Sequence, residues 1–178
     1  MTNDVERVLI TEEQIKEAVQ RIAKQLEEDY DGKEVLFVGL LKGSIAFMAD
    51  IIKAYTKVCS IDFMSVSSYG AGTESSGRVN IVKDLSQPID GKDIVIIEDI
   101  IDSGNTLSFI KAYFAAKNAN SVKICTLLNK PDRRVVDIDV DYIGYDIPDE
   151  FVIGYGLDYN EHYRNLPYVG VLKRSVYS

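Results

Sequence analysis

The sequence predicts an α/β fold, a mostly parallel sheet flanked by helices on both faces. Two observations carry this. Short runs rich in β-branched residues alternate along the chain with segments of helical periodicity, the pattern of repeated strand–helix units. The run Ile94-Val95-Ile96-Ile97 reads as a buried strand that passes through Glu98-Asp99 into a Gly-containing loop and a helix start. A chain of 178 residues suits one domain, 1–178, large enough for a real core.

Each element can be justified in order. Thr11-Glu12-Glu13-Gln14 is a capping-box pattern. Apolar residues then recur at Ile15, Ala18, Val19, Ile22, Ala23 and Leu26, one face of a helix that Asp31-Gly32 breaks. Strands are expected over Glu34–Leu40, Val58–Val66, Arg78–Leu85, Asp93–Glu98 and Val122–Leu128. Helices are expected over Ser44–Tyr55 and Thr106–Lys117, and short strands near Tyr142–Tyr145, Val152–Ile153 and Tyr168–Leu172. Between Ser67 and Gly77 lie three Gly and four Ser in eleven residues, a composition that predicts a flexible loop or lid. In a sheet of this kind ligands bind outside the carboxyl ends of the strands. The loops after Leu40, Val66, Glu98 and Leu128 are therefore expected along one edge.

Composition excludes several classes. No apolar run reaches the ~18–20 residues of a membrane span, and the N-terminal residues carry no secretion signal, so a cytoplasmic protein is expected. A net charge of −8 argues against a general nucleic-acid binder. Cys59 and Cys125 sit in strand-like runs and read as buried free thiols, without a disulfide or zinc pattern.

The stretch Ile94 to Leu107 carries the chemistry. A strand feeding a Gly turn and a helix start makes a phosphate cradle, because the first helical N–H groups are unpaired and the dipole favours an anion. Acidic groups beside such a cradle repel the ligand unless they have another task, such as holding sugar hydroxyls, moving a proton or organising a metal. The segment therefore suggests a site for a phosphorylated sugar. The plainer alternative is an ordinary strand–helix unit with a solvated acidic strand end and Asp102, Ser103 or Asn105 as helix cap. Neither a Walker pattern nor a dinucleotide fingerprint is present.

Glu98-Asp99-Ile100-Ile101-Asp102-Ser103-Gly104-Asn105-Thr106 resembles the phosphoribosyl-pyrophosphate signature of the type I phosphoribosyltransferases, in the form used by their hypoxanthine-guanine branch. Leu41-Lys42-Gly43-Ser44, Ser67-Ser68-Tyr69-Gly70, Leu128-Asn129-Lys130-Pro131 and the segment Ile147 to Leu166 match in the same order. The resemblance covers nearly the whole chain. It implies the type I phosphoribosyltransferase fold, with a small hood built from the chain termini. It implies that a purine base displaces pyrophosphate from 5-phosphoribosyl-1-pyrophosphate, with Mg2+ as cofactor.

The resemblance also assigns roles. Asp102 transfers the proton near the imidazole nitrogen of the base. Asp102, Ser103, Gly104, Asn105 and Thr106 bind the 5′-phosphate, and Glu98 and Asp99 the ribose hydroxyls. Lys42, Gly43 and Arg164 bind pyrophosphate. Lys130, Phe151, Val152 and Asp158 meet the purine, Lys130 through its 6-oxo group. Asp158, with Glu98 and Asp99, holds the metal, and Ser68 and Tyr69 form the lid. Taken singly, Lys130 also reads as a surface lysine, Phe151 as a core aromatic and the lid as a plain solvated loop. His162, the one histidine, reads as partly exposed and inessential. The family implies small-molecule substrates, no nucleic-acid or membrane partner, and a homodimer or homotetramer. A phosphoribosyl-pyrophosphate-sensing regulator that binds nucleic acid, and an enzyme for xanthine or pyrimidines, are the alternatives.

Overall fold

The computed structural model describes residues 2–68 and 79–178. The chain runs β1 (Val5–Ile10), α1 (Glu12–Asp29), β2 (Val35–Leu41), α2 (Ile45–Ala54), β3 (Cys59–Ser68) and β4 (Val79–Lys83). It continues through β5 (Asp93–Ile101), α3 (Asn105–Ala116), β6 (Ser121–Asn129), β7 (Tyr142–Asp146), β8 (Val152–Ile153), β9 (Val169–Leu172) and α4 (Arg174–Tyr177). The main sheet has the order β4-β3-β2-β5-β6-β7, parallel except for β4 on β3. A second, antiparallel sheet, β1-β9-β8, joins the two ends of the chain and forms the hood.

Alternation along the strands decides which helix covers which face. Val35 and Phe37 of β2, Val95 and Ile97 of β5, and Cys125 and Leu127 of β6 pack in one cluster with α1 and α2. Leu36, Val38, Ile94, Ile96 and Ile124 pack on the other face with Leu107, Ile110 and Phe114 of α3. Helix α1 begins as expected, with Thr11 Oγ1 accepting from Gln14 N–H and Gln14 Oε1 accepting from Thr11 N–H.

Three expectations change. β3 extends through Ser68, so the Gly/Ser segment starts later than its composition suggests, and Tyr69 lies outside the described residues. β5 does not end at Glu98: Ile100 and Ile101 stay paired with Leu128 and Asn129 of β6, which keeps both acids inside the strand. The N-terminal strand β1 was not expected, because its partner β9 lies at the far end of the chain, with Val5 opposite Leu172.

Candidate active site

The carboxyl ends of β2, β5 and β6 and the hood meet at one place. Contact between glycines fixes the junction. A Cβ on Gly43, in the β2–α2 loop, would lie 2.0 Å from Asp99 Oδ2, and a Cβ on Gly156 would lie 2.0 Å from Gly43 O. Only glycine permits the hood, the loop and the acidic strand to touch in this way. The Leu41–Lys42 peptide in that loop is cis. Ser44 is buried below it, its Oγ donating to Leu40 O at 2.6 Å.

The cradle follows β5. Gly104 takes φ +85° and is the N-cap of α3, with no side-chain cap. A Cβ there would also lie 2.9 Å from Arg134 Cδ and from Val136 Cγ2. The ladder of α3 starts with Ser108 N–H on Gly104 O at 2.9 Å, so the amides of Asn105, Thr106 and Leu107 lie outside it. Ser103 Oγ accepts from Asn105 N–H at 3.3 Å. The segment after β6 backs the loop: Arg134 Nε donates to Asp102 O at 3.1 Å and Val135 N–H to Ser103 O at 3.1 Å. Glu98, Asp99, Asp102, Ser103, Gly104 and Thr106 line a cleft of about 220 Å³. A groove of about 420 Å³ lies elsewhere, among Ile15 and Val19 of α1, Asp50 and Lys53 of α2, and Tyr155. It is the larger opening, but no glycine lines it, so we place the chemistry in the smaller cleft.

The side chains divide into groups. Asp99 is 8% exposed, and its Oδ1 accepts from Ile100 N–H at 2.8 Å. Glu98 beside it is partly buried, and burial, followed by the Asp99 charge, pushes its pKa well above the usual carboxylate range. Asp102 does not cap the helix, contrary to the plainer alternative; it is half exposed and accepts from Arg133 Nε at 3.2 Å. Lys130 is not a surface lysine. It is 8% exposed, and its Nζ lies 3.5 Å from Asp149 Oδ1. Arg133 Nη1 reaches the other oxygen of Asp149 at 3.6 Å, so Asp102, Arg133, Asp149 and Lys130 form a chain of alternating charge.

Phe151 is 38% exposed and is not a core residue. Tyr177 of α4 stacks on it at 4.9 Å, and Tyr159 meets it edge-on at 5.6 Å. Val152 is buried in β8, which pairs with β9 on one side and forms an edge of the hood sheet. Arg164 does not point freely outward: Nη1 donates to Gly156 O at 2.7 Å, and Nη2 lies 2.9 Å from Asp158 Oδ1. Lys42 is exposed and pairs with Glu161 at 2.8 Å. Among the described residues, no three Asp, Glu, His or Cys side chains converge into a metal cage. The acids instead form an open set, with Glu98 and Asp99 in the strand and Asp158 in the hood. Such a set suits Mg2+, which prefers one or two carboxylates completed by substrate oxygens and water.

Sequence reasoning did not find Arg133, Asp149, Glu161 or Tyr177. Each acts through a partner distant in sequence. The one local hint was the alternation of charge around Lys130 and Arg133.

The chain belongs to the family of the phosphoribosyl transferase domain, whose model matches residues 9–160. Within that family its relatives are specific. The hypoxanthine-guanine phosphoribosyltransferase of Streptococcus agalactiae serotype V is 53% identical over 178 residues, covering 100% of this chain and 99% of the relative. The crystal structure of a hypoxanthine phosphoribosyltransferase from Staphylococcus aureus is 54% identical, with a TM-score of 0.97 over 100% of this chain and 97% of that one. A hypoxanthine-guanine phosphoribosyltransferase from Bacillus anthracis, with HEPES in its active site, is 46% identical, with a TM-score of 0.91 over 95% of this chain and 99% of that one.

Proposed function

We propose that this protein is a cytoplasmic purine-salvage enzyme. It transfers the phosphoribosyl group of 5-phosphoribosyl-1-pyrophosphate to hypoxanthine or guanine, giving IMP or GMP and pyrophosphate. Lys130 is the observation that carries the reading. A buried ammonium requires acceptors, and Asp149 supplies one at 3.5 Å. A purine 6-oxo group beside it supplies another, which the 6-amino group of adenine cannot.

The reaction forms a bond from an imidazole nitrogen of the base to the sugar carbon and breaks the bond to pyrophosphate. Positive charge develops on the sugar and negative charge on the leaving group, so placed charges do most of the work. The amides of Asn105 to Leu107 and the hydroxyls of Ser103 and Thr106 hold the 5′-phosphate at the start of α3. Glu98 and Asp99 accept from the ribose hydroxyls and face the developing cation. Asp102, at the mouth of the cradle, takes the imidazole proton of the base. Phe151, backed by Tyr177, stacks on the purine, and the backbone at Val152 and Asp158 meets its far edge. Lys42, Gly43 and Arg164 receive pyrophosphate. Asp158, Glu98 and Asp99 would hold Mg2+, which supplies charge neutralisation for the pyrophosphate. Ser68 leads into the segment we assign as lid, whose closure keeps water from the activated sugar.

We also propose a homodimer or homotetramer. Val58, Ile61 and Val82 are 77%, 42% and 68% exposed along the β3–β4 edge, apolar surface of the kind that a second copy covers. Light scattering that finds only a monomer would remove this part.

The test of function is an assay base by base, with phosphoribosyl pyrophosphate and Mg2+. Turnover of hypoxanthine and guanine, with none of adenine, is expected. Turnover confined to xanthine or a pyrimidine overturns the assignment, as does salt-dependent nucleic-acid binding without turnover.

A further inference from the structure

We infer that Glu161 is a resident counter-ion of the pyrophosphate subsite, holding Lys42 and Arg164 in the free enzyme and competing with pyrophosphate for them. The inference rests on the reading that Lys42 and Arg164 receive pyrophosphate. Glu161 Oε2 lies 2.8 Å from Lys42 Nζ, and Oε1 lies 3.4 Å from Arg164 Nη2. One carboxylate thus bridges the two cations that the resemblance assigns to one polyanionic group, with Asp158 Oδ1 also on Arg164 Nη2 at 2.9 Å. Its two oxygens take contacts on Lys42 and Arg164 that pyrophosphate oxygens would need.

The backbone does not account for a glutamate here. Tyr159 and His162 exchange N–H to O bonds of 3.2 and 3.0 Å, closing a two-residue turn over Asn160 and Glu161. Both turn residues have positive φ, 51° and 64°. Such turns favour Asn followed by Gly, and Glu stands in the glycine position, where a side chain is strained. Stability does not account for it either. The side chains of Lys42 and Glu161 are 68% and 63% exposed, and ion pairs so exposed contribute little. A weak, solvent-exposed pair is what an exchangeable counter-ion requires: it neutralises the cations, keeps their geometry and yields to a more highly charged anion. Glu161 N–H also donates to Asp158 Oδ2 at 2.9 Å, so its turn touches the carboxylate assigned to the metal. The expected consequence is faster loss of pyrophosphate, at the expense of some affinity for phosphoribosyl pyrophosphate.

The experiment measures inhibition by pyrophosphate, with Mg2+, in wild type, E161Q, E161G and K42A. Both Glu161 variants remove the charge; Gln keeps the strain of the turn and Gly relieves it. Each is expected to lower the pyrophosphate inhibition constant and the KM for phosphoribosyl pyrophosphate by about two- to fivefold. The KM for the purine is expected to stay unchanged. K42A is expected to raise the pyrophosphate constant, and in the double variant K42A/E161Q the gain from E161Q is expected to shrink. If K42A leaves pyrophosphate unaffected, the parent assignment of the subsite fails. If K42A weakens pyrophosphate but E161Q and E161G leave it unchanged or weaker, the counter-ion role is overturned, and Glu161 instead orients Lys42.

Discussion

The two ends of the main sheet treat their acids in opposite ways. At the amino end every acid named here is satisfied. Asp29 accepts from Tyr142 Oη at 2.5 Å and Lys123 Nζ at 3.0 Å. Asp93 takes Asn120 Nδ2 at 2.7 Å and Ser121 Oγ at 2.5 Å. Asp141 accepts from Ile124 N–H at 2.8 Å. At the carboxyl end Glu98 and Asp99 are crowded together with no cation beside them among the described residues, and burial, followed by the Asp99 charge, pushes Glu98 up. Asp102 and Lys130 are held by Arg133 and Asp149, across distances of 3.2 and 3.5 Å. One sheet thus satisfies its charges where it only has to fold and leaves them under-satisfied where, on the proposed function, ligand groups would complete them. The contrast locates the site independently of any motif.

The contrast can be broken most severely at Asp102. Because Gly104 caps α3, Asp102→Asn leaves the helix start intact, and the protein is expected to keep its melting temperature. Turnover is expected to fall about 10²–10⁴-fold, the range for loss of a general acid–base group, with affinity for phosphoribosyl pyrophosphate nearly unchanged. Near-normal turnover would remove the proton-transfer role. Lys130→Ala comes next. Loss of a buried charged hydrogen bond is expected to lower kcat/KM for hypoxanthine and guanine together by about 2–4 kcal/mol. Unchanged values for both bases would return Lys130 to a structural role, its charge serving only Asp149.

Much of this contrast was legible in the sequence, and the reason is locality. The cradle is one continuous segment, and the glycine needed at φ +85° stands in it. The helices showed through the spacing of Ile15 to Leu26, and the strands through their β-branched runs. What stayed hidden depends on pairs distant along the chain. β1 has a weak pattern, with only Ile10 fully buried, and exists because β9 pairs with it. The acids looked like a strand end because acids usually are; the register with β6 overrides that tendency. The ion pairs Lys42–Glu161 and Lys130–Asp149 join segments that no local window contains. The lid assigned to Ser68 and Tyr69 falls mostly outside the described residues and is not tested by the structure.

The smallest expected effect lies at the other end of the sheet and sharpens the contrast by its sign. The hydrogen bond from Tyr142, and then that from Lys123, hold Asp29 below the ordinary carboxylate range. Its folded pKa is therefore lower than its unfolded one. The stabilisation it brings is present above the unfolded value, about 3.9, and is lost as pH falls through the folded value. The side chain of Asp29 is 45% exposed, so solvent screening keeps the contribution below about 1 kcal/mol. Asp29→Asn is expected to lower the melting temperature at pH 7 by no more than about 2–4 °C, with the difference from wild type closing as pH falls below the ordinary carboxylate range. Turnover is expected to be unchanged. Glu98→Gln is expected to act in the opposite sense, raising the melting temperature at pH 8 by removing a crowded, partly buried charge while weakening sugar binding. Thermal melts of both variants at the two pH values, beside their KM for phosphoribosyl pyrophosphate, measure the contrast directly. If both variants lost stability alike and neither lost affinity, the two ends of the sheet would not differ in kind.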